Sequence, residues 1–112
     1  KAVASAVHAK GGKIACQLWH LGRQCSSLVT GQPIVSASDI PIKGETRGKD
    51  GVSVPSEVPH SLTVEEIAEV IADYANAARN AMEAGFDLVE IHGANGYLVD
   101  QFSQSISNTR TD

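Results

Sequence analysis

A chain of 112 residues, 42% hydrophobic and 20% charged, is long enough to bury one modest core. Its formal net charge of −4 and its 4% aromatic content offer neither a basic field for nucleic acid or anionic lipid nor a row of base-stacking rings. No apolar run approaches the roughly 20 residues of a membrane span, so the expected partners are small molecules, with no nucleic acid and no membrane.

The chain begins at Lys1, without methionine or a recognisable leader. The expectation is a cytoplasmic segment of a larger protein. Residues 2–9, Ala-Val-Ala-Ser-Ala-Val-His-Ala, favour helix. Lys10 suits the negative end of that helix, and Gly11-Gly12 supplies its stop.

Lys13 to Leu18 reads as a strand of ordinary length. Gln17 is its anomaly. A glutamine inside an apolar strand must be hydrogen-bonded, so its amide is tied to backbone or aimed at a ligand. Cys16 lies in this strand and Cys25 in the loop beyond. Two cysteines do not define a disulfide framework, and both are expected to be free thiols.

Leu21 to Leu62 forms a connection of about 40 residues, longer than structureless loops in compact domains usually run. Ile34-Val35 and Ile40-Pro41-Ile42 suggest a small hairpin or short extended pieces. Gly44 to Gly51, charged and glycine-rich, suggests a mobile tip. Pro55 and Pro59 keep the following residues extended.

The helix predicted over Val64–Ala84 is the best-specified element. Thr63 and Glu66 fit a capping box, and Leu62 with Ile67 fits a hydrophobic staple. Ile67, Val70, Ile71, Tyr74, Ala78, Ala81 and Met82 recur at the helical period and predict one buried face. Gly85 fits the C-terminal cap. Leu88 to Ile91 then reads as a second strand, Tyr97 to Phe102 as one or two helical turns, and Ser103 to Asp112 as polar loop.

Strand, helix, strand is a βαβ unit, so the two strands should be parallel. Their C-terminal ends then share one edge of the sheet, where α/β folds build their sites. Gln17-Leu18-Trp19-His20 and His92-Gly93-Ala94-Asn95-Gly96-Tyr97 fall at those ends. Neutral His92 offers one N–H and the Asn95 amide two. Together they can hold an oxygen on which negative charge develops. Alternatively, His92 caps a backbone carbonyl and Asn95 makes an Asx turn. Tyr97, a phenol that is protonated near neutrality, is either a proton donor or a packing residue. Glu90 is either an inward-facing base or the partner of a lysine or arginine. His20 and His92 lack the further ligands that a metal site requires, so no metal is expected. Gly93-Ala94-Asn95-Gly96 has neither the phosphate-loop pattern nor the dinucleotide one.

Four segments, taken together, strongly resemble the Old Yellow Enzyme family. They are Gln17-Leu18-Trp19-His20-Leu21-Gly22-Arg23, Ser61-Leu62-Thr63, His92-Gly93-Ala94-Asn95-Gly96-Tyr97-Leu98-Val99-Asp100-Gln101-Phe102, and Asn108-Thr109-Arg110-Thr111-Asp112. That family comprises FMN-dependent, NADPH-using ene reductases on a (β/α)8 barrel, the oxophytodienoate reductases among them. The likeness implies an α/β fold in which residues 1–112 are a partial TIM-barrel segment, the third and fourth βα units. It implies that Gln17 bonds the flavin ring, that His92 and Asn95 hold the carbonyl oxygen of an α,β-unsaturated substrate, that Trp19 shapes the substrate pocket and that Tyr97 donates the proton. The implied reaction is ping-pong: NADPH reduces FMN, and a hydride then passes to the β-carbon while Tyr97 protonates the α-carbon. Two strands cannot close a barrel. A truncated, non-catalytic fragment that binds no flavin is therefore the alternative expectation, with a barrel hydrolase using Glu90 as a third.

Overall fold

The computed structural model describes all residues, Lys1–Asp112. The elements run α1 (Ala2–His8), β1 (Ala15–Leu18), α2 (Ser27–Thr30), β2 (Val35–Ser36), β3 (Glu45–Arg47), β4 (Ser53–Pro55), β5 (His60–Ser61), α3 (Val64–Glu83), β6 (Leu88–Ile91) and α4 (Leu98–Ser103), with a 3-10 turn at Lys49–Gly51. They fall into two units, Lys1–Trp19 with Val64–His92 and His20–Thr63 with Gly93–Asp112. No helix is long and apolar enough to cross a membrane.

In the first unit β1 and β6 pair in parallel, from Ala15 opposite Leu88 to Leu18 opposite Ile91. α3 packs on both strands, which is the expected βαβ arrangement. The ladder continues past each end, with Asp87 N–H donating to Ile14 O and His92 N–H to Leu18 O, both at 2.9 Å. β1 is shorter than the predicted Lys13–Leu18 because side-chain chemistry takes over at its start. The Ile14 N–H donates to the Asp87 carboxylate at 2.9 Å and Lys13 Nζ to the same group at 2.8 Å.

α3 closes at Gly85, as expected, with two reversed bonds, Phe86 N–H to Ala81 O and Gly85 N–H to Met82 O, a Schellman arrangement. Its predicted buried face is only partly covered. Ala81 is buried, Ile67, Val70, Tyr74 and Ala78 are half-buried, and Ile71 and Met82 are 63% and 52% exposed. The cause is geometric. Within this unit α3 packs chiefly on the two strands β1 and β6, and these leave the rim of its apolar stripe uncovered.

Asp87 ties the start of this unit together. The hydrogen bond from Lys13, then that from His8 Nε2 at 2.8 Å, then that from the Ile14 amide hold its carboxyl well below the usual carboxylate range. A depressed carboxylate stabilises the fold at every pH above its unfolded value of about 4, and the contribution disappears as pH falls through the folded value. Asp87→Asn is therefore expected to lower the melting temperature at pH 7. The gap to wild type should narrow as the pH drops below about 4. Thermal unfolding followed by circular dichroism across pH 2–7 checks this, and a gap that does not change with pH would refute it.

The second unit differs from expectation in its long connection. Val35 and Ser36 pair in parallel with His60 and Ser61. The hairpin suggested by Ile34-Val35 and Ile40-Pro41-Ile42 does not form. Pro41 has no N–H to give a ladder, whereas His60 N–H and Leu62 N–H donate to Ile34 O and Ser36 O. Gly44 to Gly51, expected as a mobile tip, carries β3 and the 3-10 turn. β3 pairs antiparallel with β4, with Thr46 opposite Val54, and Thr46 is buried. Asp50 takes the left-handed position of the turn (φ 59°), which aspartate tolerates.

α2 has no counterpart among the predicted elements: its Ser26 cap and its left-handed Gly31 stop are local, but four residues are too few to show a helical period. Ser26 Oγ accepts from Leu28 N–H and donates to Glu57, which also accepts from Ser27 N–H at 2.8 Å. Those bonds, from Ser27 and then Ser26, hold the Glu57 carboxyl below its ordinary value. The core of this unit is Ile34, Ala37, Leu62 and Leu98, interleaved with buried Ser26, Ser36, Gln101 and Ser107. Arg110 donates to the carbonyls of Ala37 and Leu62 and pairs with Asp112, holding the polar C-terminal segment in place.

Candidate functional site

Gln17 stands on β1 opposite Glu90 on β6. Its Nε2 donates to Glu90 Oε1 at 3.2 Å. Partners directly opposite in a parallel pair project to the same side of the sheet, so the amide and the carboxylate form one exposed polar pair. The amide is tied to a side chain, not to backbone, and the residue is exposed. Glu90 accepts from this amide, in place of the lysine or arginine partner expected for it.

One residue past β1, Trp19 is 53% exposed, a large ring left in water at a strand end. It meets the His92 ring edge-on, with centroids 5.9 Å apart and planes at 78°. His92 directly follows β6 and extends the ladder through its N–H. The first unit thus brings Gln17, Trp19 and His92 to the C-terminal ends of two adjacent parallel strands.

The second unit holds Asn95 and Tyr97. Residues 94–97 form a turn closed by Tyr97 N–H donating to Ala94 O at 3.2 Å. Asn95 sits at φ 59° and Gly96 at φ 74°. Asparagine is among the few side chains that accept this region. Its amide is exposed and makes no Asx turn; only its carbonyl is held, by Gln24 Nε2 at 2.8 Å. At Gly96 a Cβ would come within 2.7 Å of Gln24 Nε2, so no side chain fits without moving that contact.

Tyr97 is the N-cap residue of α4 and has extended backbone. It is half-buried, neither sealed in the core nor out in water. It lines a cavity of about 570 Å³ together with Leu21, Gln24, Cys25, Thr46 and Arg47. The Cys25 thiol donates to Gly22 O at 3.1 Å. Burial, and then the charge of Glu57, push its pKa up, which keeps the thiol protonated and unreactive. Both cysteines are free. His20 belongs to this unit, its Nδ1 accepting from Gly22 N–H at 3.0 Å. No group of three or more His, Cys, Asp or Glu residues gathers into a metal site.

Three residues behind the turn escaped the sequence reading. Gln24 and Asp100 hold Asn95 O and Gly96 N–H, and Gln101 is 1% exposed with both ends of its amide engaged. The signal was available for Gln101. It falls three positions after Leu98, on the apolar face of a predicted helix, where a buried amide is as anomalous as Gln17 in its strand.

Comparison with known proteins fits this geometry. A sequence model of the NADH:flavin oxidoreductase / NADH oxidase family matches residues 1–112. The flavin oxidoreductase hxnT of Emericella nidulans is 50% identical over 98% of this chain and 28% of its own. The 12-oxophytodienoate reductase 2 of Arabidopsis thaliana is 46% identical over 100% of this chain and 30% of its own. The old yellow enzyme homologue of Zymomonas mobilis superposes with a TM-score of 0.93 at 44% identity, over 98% of this chain and 31% of that one. The chain therefore spans a little under a third of the length of these relatives. The expected fold class, two parallel strands and a crossover helix from a (β/α)8 barrel, holds.

Proposed function

The chain belongs to the NADH:flavin oxidoreductase / NADH oxidase family, that of the Old Yellow Enzymes, and on that premise we propose that the protein carrying it is an FMN-dependent, NADPH-using ene reductase. Its substrates are α,β-unsaturated carbonyl compounds, and this segment supplies the third and fourth βα units of the barrel. The observation that carries the proposal is the parallel pairing of β1 with β6, which puts Gln17, Trp19 and His92 at neighbouring strand ends. In barrels that is the catalytic edge.

The residues present fit a flavin. The ring edge of FMN alternates carbonyl acceptors with an N–H donor, and the exposed Gln17 amide offers a donor and an acceptor to match. Bound FMN supplies the hydride chemistry that no side chain can. His92 and Asn95, three residues apart, donate to the substrate carbonyl oxygen. This polarises the conjugated double bond and stabilises the charge that develops there. Tyr97 gives its phenolic proton to the α-carbon. Trp19, braced against His92, forms an apolar wall that orients the alkene.

The purified protein should be yellow, release FMN on denaturation, and oxidise NADPH faster when 2-cyclohexenone is added. A colourless protein that cannot be reconstituted with FMN would refute the proposal.

A further inference from the structure

A glutamine amide can make four hydrogen bonds, two through its N–H groups and two through its oxygen. Gln101 makes all four while 1% exposed. Its Nε2 donates to Gly96 O at 2.7 Å and to Leu21 O at 3.2 Å. Its Oε1 accepts from Ser36 Oγ at 3.0 Å and from Arg23 N–H at 3.2 Å. These partners belong to three separate segments: the turn after β1, the strand β2, and the glycine between Asn95 and Tyr97.

Gly22 adapts to this side chain. Its φ is 59°, and a Cβ there would fall 2.2 Å from Gln101 Oε1, so the turn passes over the amide only as glycine.

At Gly96 the clamp is double. The N–H of the 95–96 peptide donates to Asp100 Oδ2 at 2.7 Å, and the carbonyl of the 96–97 peptide accepts from Gln101. Both peptide planes of a residue free to rotate are thereby fixed, and they set the backbone from which Asn95 and Tyr97 project. An apolar side chain of similar size would fill the same volume. What the amide adds is a specified geometry, since a fully satisfied buried network rigidifies its surroundings.

We propose that Gln101 is a positioning residue for the reaction, holding the Asn95–Tyr97 turn so that the carbonyl donor and the proton donor are aimed. This rests on the function proposed above.

Gln101→Glu tests it in the full-length, FMN-loaded protein. The variant keeps the shape and one acceptor oxygen, but sets a second oxygen against the carbonyls of Leu21 and Gly96. Reoxidation of the reduced enzyme by 2-cyclohexenone should slow at least about tenfold more than reduction of the enzyme by NADPH, because only reoxidation needs the Tyr97 proton. Affinity for cyclohexanone, read from the flavin absorption, should weaken. Reoxidation should recover as pH falls, since a protonated carboxyl can again donate to one of the two carbonyls. Equal slowing of both half-reactions, loss of flavin, or no recovery at low pH would show a purely structural role and overturn the proposal.

If that variant does not fold, Ser36→Ala removes one of the four bonds away from the turn. It should slow reoxidation about twofold or more with NADPH reduction unchanged; an unaltered ratio of the two rates overturns the proposal. Wild-type protein that binds no FMN would sink the underlying function itself, which a wild-type control separates from failure of Gln101's role.

Discussion

Tyr97→Phe is expected to slow reoxidation of the reduced enzyme by an enone by a factor of about 10² to 10⁴, the usual worth of a positioned general acid, while reduction by NADPH stays within about twofold. The substitution removes one hydroxyl and keeps the ring. α4 should survive it, because Tyr97 caps that helix without a side-chain capping bond. The turn should survive as well, because it is held by backbone and by Gln24, Asp100 and Gln101. A loss confined to one half-reaction therefore reports the proton and not the fold. Rapid-mixing measurements of the two half-reactions separate the outcomes. Equal losses in both would remove Tyr97 from its assigned role and leave it as a wall of the cavity it lines.

Asn95→Gly carries the next largest effect, a fall of about 10² to 10³ in kcat/KM for the enone, comparable to removing one oxyanion donor. Glycine is the informative replacement. Asn95 sits at φ 59°, where alanine would add backbone strain that glycine avoids, so Asn95→Ala would mix two causes. The backbone carbonyl bonded by Gln24 is retained in the glycine variant, leaving the side-chain amide as the main change. Steady-state rates with 2-cyclohexenone, alongside flavin content, check it. Undiminished turnover at full flavin occupancy would exclude Asn95 as a carbonyl donor.

The two anomalies that pointed to a site, Gln17 inside an apolar strand and the polar cluster at the end of the second, were visible because both break a local pattern. The parallel pairing followed from element order alone, since a single helix joining two strands leaves little other choice. The pairing of Val35 with His60 could not be read this way. Two-residue strands carry no periodicity, and their partners lie 25 positions apart. α2 was hidden for a related reason: its four residues are too few to show a helical period, and Glu57, which braces its Ser26 cap, lies far away in the chain.

By itself, the sequence determined the helix α3 and its end, the two parallel strands, the residues placed at their C-terminal ends, and the family. The helix rests on its period and capping chemistry, the parallel pairing on the order of the elements, and the family on four short motifs. Tertiary structure alone decided that Glu90 would accept from Gln17, that Asn95 would take the left-handed conformation without an Asx turn, and that Gln101 would spend all four hydrogen bonds inside the second unit. Those outcomes depend on which groups meet across the fold, and a buried amide is settled by whatever donors and acceptors surround it, not by its neighbours in the chain.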